Sequence, residues 1–319
     1  MLMLDAEAIL NKLSYRTLVD ELRAMHLDPI ALNSDLMMNS SGASDTTNHF
    51  LIRAGWQPDQ ALGAKIVSIF PDNNRTRDYP SIQAIYILFD GQNGNPIACL
   101  DGTALTYLKT SADSALGAQF LARENITSML MIGAGEMARH LITAHCGVRP
   151  SIRQVYVWNR TPAKAEQLCK DKLPEQFEQV EFIAVEDLAQ TAAKVDLISS
   201  ATATKKPLIR GEWLRAGTHL DLVGAYTPEM READDECLQR ASLFVDARET
   251  TIEHIGELMI PIAKAVIDTD DVLADLYDLC QKRHVGRSSD DQITLYKNGG
   301  GGHLDLMLAR IIYNNCNPQ

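Results

Sequence analysis

The 319-residue sequence contains no apolar run approaching the roughly 18 residues needed to cross a bilayer, so no membrane-spanning helix is expected. It also lacks a basic stripe and any block of about five like charges. The net charge is −12 and the pI is near 5.1. A nucleic-acid binder carries the opposite balance, so no nucleic-acid partner is expected. Cysteine is sparse: Cys99, Cys146, Cys169, Cys237, Cys280 and Cys316 are dispersed, with no CxxC and no Cys/His spacing. They read as reduced structural thiols, and no metal site is expected. The first ten residues, Met1 to Leu10, lack the basic start of a secretory signal, and a cytoplasmic location is expected. Apolar residues at 45% make a sizeable core available, and the length allows two domains or one domain interrupted by another.

Two textures divide the chain. Helical periodicity runs from about Asp5, a plausible cap, to His26, with a break at Leu13–Ser14. Asn33 to Asn48 is rich in Ser, Asn, Asp and Thr and predicts turn or loop, feeding a strand at Phe50–Ile52. Lys65–Phe70 and Ile82–Phe89 are β-rich, and Asp90 to Pro96 is a hairpin signal ahead of Ile97–Leu100. A long amphipathic helix is expected from Ala104 to Ala122. From Ser128 strands and helices alternate, with strands at Met129–Ile132, Val155–Trp158, Phe182–Val185, Asp196–Ser199, His219–Val223 and Leu243–Val245. That alternation predicts an α/β doubly wound parallel sheet. A strand at Ile293–Tyr296, the glycine run Gly299–Gly302 and a helix at His303–Tyr313 close the chain.

The strongest local signal is the apolar strand Met129–Ile132 running into Gly133-Ala134-Gly135-Glu136-Met137-Ala138. This is GxGxxA between a strand and a helix. Gly133 makes the tight turn, Gly135 admits a pyrophosphate, Ala138 permits close packing, and the helix start supplies N–H donors. A Rossmann domain binding NADP(H) or NAD(H) is therefore expected. An acid at the end of the second strand would bond a ribose 2′-hydroxyl and repel a 2′-phosphate. The sequence has Asn159-Arg160-Thr161 there, which favours NADPH over NADH.

Further blocks carry a resemblance over nearly the whole chain. They are Gly63 to Val67 with Phe70 to Asn73, Asp101 to Thr103 with Leu105-Thr106, and Lys109-Thr110 to Ser114-Ala115. Gly133 to Ala138, Trp158 to Thr161, Gly211 to Leu214, Val223 to Ala225, Met230 to Glu232 and Gly286 to Ser288 with Ile293-Thr294 complete the set. In order and spacing they resemble the ornithine cyclodeaminase/mu-crystallin family, most closely its cyclic ketimine reductase branch. The resemblance implies a Rossmann domain, 123–296, inserted into a mixed α+β substrate and dimerisation domain, 1–122 with 297–319, and a homodimer. It also implies hydride transfer between a nicotinamide and the α-carbon of an amino or imino acid.

Residue by residue, the resemblance implies substrate-binding roles for Arg53, Lys65 and Lys109, and catalytic roles for Lys65 and His303. Lys109 stands where many members carry an arginine that clamps the substrate carboxylate. Another family arginine, before Phe50, has no clear counterpart, and Arg53 is its nearest candidate. Expected cofactor contacts are Ser81, Lys109, Gly133, Ala134, Gly135, Glu136, Met137, Asn159, Arg160, Thr161, Thr202, Val223, Gly224 and Asn298. Where cyclodeaminases carry an aspartate that assists deamination, this sequence has Ala225, and Glu229 replaces a family lysine. The expectation is therefore reduction of a small cyclic imino acid, Δ1-pyrroline-2-carboxylate or its six-ring homologue. The competing expectations are an amino-acid dehydrogenase or ornithine cyclodeaminase, and a non-catalytic NADPH-binding protein like the crystallin relatives.

Overall fold

A computed structural model describes residues 1–41, 46–73 and 79–317. The chain divides into two compact units, residues 1–109 with 301–319, and residues 110–300.

The first unit is built on a six-stranded sheet in the order β1-β6-β5-β4-β3-β2. The strands are β1 (Leu2–Leu4), β2 (Leu32–Ser41), β3 (Thr47–Gln57), β4 (Ala61–Ile69), β5 (Ile82–Asp90) and β6 (Pro96–Asp101). All neighbours are antiparallel except β1 and β6. Asp5 caps α1 (Ala6–Leu10) and Ser14 caps α2 (Tyr15–Met25), each accepting a backbone N–H, so the expected break between two helices is present. The expected loop at Asn33–Asn48 needs correction, although 42–45 lie outside the described residues. Leu32–Ser41 is a ten-residue strand paired along its whole length with β3. Cross-strand hydrogen bonding overrides the weak β-propensity of its Asn, Ser and Asp side chains.

The helix α3 spans Gly102–Leu121 and crosses the division between the units. It is not the amphipathic helix expected from the sequence. Its Ser111, Asp113 and Ser114 are fully buried because their polar groups find partners inside. Ser114 donates to Asp221 at 2.8 Å, and Asp113 accepts from the Tyr296 hydroxyl at 2.9 Å. The sequence places the domain boundary after this helix, whereas the division falls at Lys109/Thr110. The reason is that Ala118 belongs to the same apolar cluster as Met129 and Met131 of the second unit.

The second unit holds an eight-stranded, all-parallel sheet in the order β13-β12-β14-β11-β10-β7-β8-β9. The strands are β7 (Ser128–Ile132), β8 (Gln154–Trp158), β9 (Glu181–Val185), β10 (Leu197–Ser200), β11 (His219–Leu222), β12 (Ser242–Val245), β13 (Val272–Asp275) and β14 (Thr294–Lys297). Every expected strand is present within a residue or two, and β13 is additional. From β7 the chain winds outward through β8 and β9, then returns to β10 on the other side of β7. This reversal opens a crevice beyond the carboxyl ends of β7 and β10, where doubly wound sheets bind ligands.

Candidate active site

In the first unit, cross-strand register aligns Asp35, Arg53, Lys65 and Tyr86 side by side on β2 to β5. Because side chains alternate along a strand, all four project from one face. The C-terminal helix, Gly302–Cys316, packs on β2 to β5 and on α2. Lys65 is buried, and its Nζ lies 2.9 Å from both carboxylate oxygens of Asp305 and 3.3 Å from Thr106 Oγ1. Lys109 Nζ stands 3.5 Å from the same carboxylate. Arg53 forks onto Asp35, with Nε to Oδ2 at 2.9 Å and Nη2 to Oδ2 at 2.7 Å.

Burial is the largest influence on Lys65 and lowers its pKa to about 8, although Asp305 favours the charged form. For Asp305, burial alone would raise the pKa, but Lys109 and Lys65 outweigh it and bring it to about 2. His303, fully buried, is held well below the usual imidazole range by burial, then by His26 and Lys109. It is neutral near physiological pH. The Tyr86 hydroxyl is pushed well above its ordinary value by burial and by Asp305. Of Lys65, Asp305, His303 and Tyr86, Lys65 is thus the one brought toward neutral pH.

In the second unit, Gly133 follows β7 at φ +109°, and its N–H donates to Trp158 O at 2.9 Å. A Cβ there would stand 2.8 Å from Ala201 O, so only glycine fits without strain. Gly135 is different. It caps the helix α4 (Glu136–Val148) at φ −88° with no side-chain capping bond, and a Cβ there would meet no atom within 4 Å. That open space at a helix start with unsatisfied N–H groups fits a pyrophosphate. The cleft is about 570 Å³ and continues past Asn159, Arg160 and Thr161 at the end of β8. Lys164 and Lys205 also line it, and no described lining residue is acidic.

The opposite wall is shaped by Glu232. Its buried carboxylate accepts from Ser200 Oγ at 2.5 Å, Thr202 N at 2.8 Å, Thr202 Oγ1 at 2.9 Å, Gly224 N at 2.5 Å and Ala225 N at 3.2 Å. One side chain thus fixes the tips of β10 and β11. Burial pushes its carboxyl up, against the pull of Lys297 and these donors.

The structure gathers Lys65, Lys109 and His303 in one unit with Arg53 alongside, and Gly133, Ala134, Gly135, Asn159, Arg160, Thr161 and Thr202 around one cleft in the other. Glu136 and Met137 lie in the first turn of α4, where Glu136 pairs with Arg139 at 3.4 Å. Val223 and Gly224 follow β11, and Val223 packs on the apolar cluster beneath. Three expected cofactor contacts have other neighbours. Ser81 belongs to the first unit, and its hydroxyl lies 3.4 Å from Pro71 O. Lys109 faces Asp305, and Asn298 is buried with its amide donating to Thr110 O and Ser114 Oγ. Asp305 escapes the sequence reading, although a lone acid between Leu304 and Leu306 on an apolar helix is a legible signal. Lys164 and Lys205 gave none, because their convergence depends on tertiary folding.

The sequence pattern of the ornithine cyclodeaminase/mu-crystallin family matches residues 52–319. The Delta(1)-pyrroline-2-carboxylate reductase of Paracoccus denitrificans (strain Pd 1222) is 43% identical over 304 residues, 95% of this chain and 93% of that one. The structure of the Thermococcus litoralis Delta(1)-pyrroline-2-carboxylate reductase in complex with NADH and L-proline matches with a TM-score of 0.89 at 28% identity. The match covers 99% of this chain and 97% of that one. An archaeal alanine dehydrogenase dimer with bound NAD matches with a TM-score of 0.86 at 25% identity, over 99% and 95% of the two chains.

Proposed function

Because this chain belongs to the ornithine cyclodeaminase/mu-crystallin family, we propose that it reduces a small cyclic imino acid with a nicotinamide cofactor, foremost Δ1-pyrroline-2-carboxylate to L-proline. The six-ring homologue is the second substrate of the same kind. The observation that carries the reading is a charge count. Two buried ammonium groups, Lys65 and Lys109, share one buried carboxylate, Asp305, while Arg53 is matched by Asp35. One positive charge remains to meet one substrate carboxylate, as a monocarboxylic imino acid requires.

Bound reduced nicotinamide supplies the hydride that adds to the imine carbon. The chain's own part is simpler. Lys109 holds the carboxylate as a point charge, and Lys65, with its lowered pKa, gives a proton to the ring nitrogen. C=N becomes CH–NH by addition of one hydride, which carries both electrons, and one proton. His303, held neutral by burial, is a weaker proton source than Lys65. Where cyclodeaminases of the family carry an aspartate that assists deamination, this chain has Ala225, which can neither take a proton nor hold an ammonium group. Glu232 does not replace it, since its oxygens already accept five bonds from the strand tips. This weighs against the cyclodeaminase and dehydrogenase readings. The Lys65–Lys109 pair and the open space at Gly135 weigh against a non-catalytic role.

For the cofactor, Arg160, Lys164 and Lys205 favour NADPH over NADH, because three cations without an acid suit a 2′-phosphate. For assembly, the sheet face opposite Lys65 supports a homodimer. Leu36, Ile52, Ile66 and Ile85 form one apolar row across it, flanked by Trp56, which is 51% exposed, and Leu32, 64% exposed. Replacing Lys109 with Met tests the substrate assignment. Initial rates should show KM for the imino acid rising at least about tenfold, a loss near 1.4 kcal/mol, with KM for the cofactor unchanged. A rise confined to the cofactor KM would place Lys109 in the other role.

A further inference from the structure

Asp305 is the only buried acid of the first unit among the described residues. Taking a carboxylate out of water is costly unless it is paired, and a neutral residue would fill the same space without that cost. Its placement therefore needs a reason beyond packing. Three measurements supply one: both of its oxygens lie 2.9 Å from Lys65 Nζ, Oδ1 lies 3.5 Å from Lys109 Nζ, and both lysines are nearly sealed from solvent. Without the anion, two buried ammonium groups would stand near one another with no shared counter-charge. Like charges this close to one shared site repel strongly where water is excluded.

We infer that Asp305 is a positioning residue for the reduction: clamped between Lys65 and Lys109, it aims the Lys65 ammonium and keeps it protonated until the imine arrives. The inference rests on the reading that Lys65 supplies the proton. The charged and titratable groups facing Lys65 are Asp305 and His303 on the C-terminal helix, Lys109 on α3, Arg53 on β3 and Tyr86 on β5. His303 is neutral and Tyr86 protonated near neutral pH, so neither supplies the missing negative charge. In turnover Lys65 loses one proton to the ring nitrogen and regains one from water, while Asp305 stays ionised throughout.

The sign follows from the charge. The protonated lysine is the active form, so activity falls as pH rises through the Lys65 pKa, about 8. Removing the anion lowers that pKa. The test is the pH profile of kcat for Δ1-pyrroline-2-carboxylate reduction by the full chain. Asp305→Asn should move the alkaline limb at least about one pH unit to the acid side, and kcat should recover substantially below the new limb. Asp305→Glu should keep the limb near its wild-type position. Lys109→Met removes a like charge and should move the limb the other way, which keeps the inference testable should Asp305→Asn not fold. Limbs that coincide in all three variants, with Lys65→Met inactive, would overturn the role of Asp305 and leave Lys65 in place. A Lys65→Met enzyme with wild-type kcat would overturn both.

Discussion

The two glycines of the nucleotide turn offer a controlled comparison, since the same added methyl group should have different effects at Gly133 and at Gly135, two residues on. At Gly133 the backbone sits at φ +109°, and the new Cβ would press against Ala201 O at 2.8 Å. A positive φ costs an L-residue roughly 1–2 kcal/mol, and relieving the contact adds about 1 kcal/mol more. Gly133→Ala should thus destabilise the protein by about 2–3 kcal/mol. At about 2–4 °C per kcal/mol for a domain of this size, Tm should fall by roughly 5–10 °C. At Gly135, φ is −88° and no atom lies within 4 Å of the new Cβ. Stability should change by no more than about 1 kcal/mol, the scale of an altered N-cap. The methyl would instead occupy space that the pyrophosphate needs, raising the cofactor Kd at least about tenfold, or about 1.4 kcal/mol. Thermal unfolding without cofactor and fluorescence titration with reduced cofactor read the two effects separately. A Gly135→Ala protein that binds cofactor like wild type would refute the placement of the phosphates.

Two further outcomes follow from the same geometry. Arg160→Ala removes a charge-assisted contact worth about 1.5–3 kcal/mol, so KM should rise far more for NADPH than for NADH, and equal effects would show that Arg160 does not read the 2′-phosphate. Light scattering should give twice the 35.3 kDa chain mass, and Trp56→Glu should shift the protein toward monomer, because an isologous contact would bury the new charge twice. A stable, fully active wild-type monomer would remove the dimer from the account.

The nucleotide unit was legible because its signals are local. A strand, GxGxxA and a helix follow one another in the chain, and the buried parallel strands read as short apolar runs such as Met129–Ile132. Strand β2 was not legible, since its Asn, Ser and Asp side chains suit turns and only pairing with β3 makes them extended. The polar side of α3 misled for a related reason: Asp113 and Ser114 are satisfied by Tyr296 and Asp221, more than one hundred residues away in sequence. Lys65 and Lys109 could be singled out by resemblance. Their shared partner Asp305 lies 240 residues from Lys65, and its role depends on the C-terminal helix returning to the first sheet.

A substrate comparison with the purified wild-type chain reads out which compound it turns over. Δ1-Pyrroline-2-carboxylate should be reduced to L-proline with consumption of NADPH or NADH. Ornithine and alanine, each supplied with NAD+, should release no measurable ammonia. Robust ammonia release from ornithine, with no turnover of the cyclic imine, would overturn the assignment as an imine reductase.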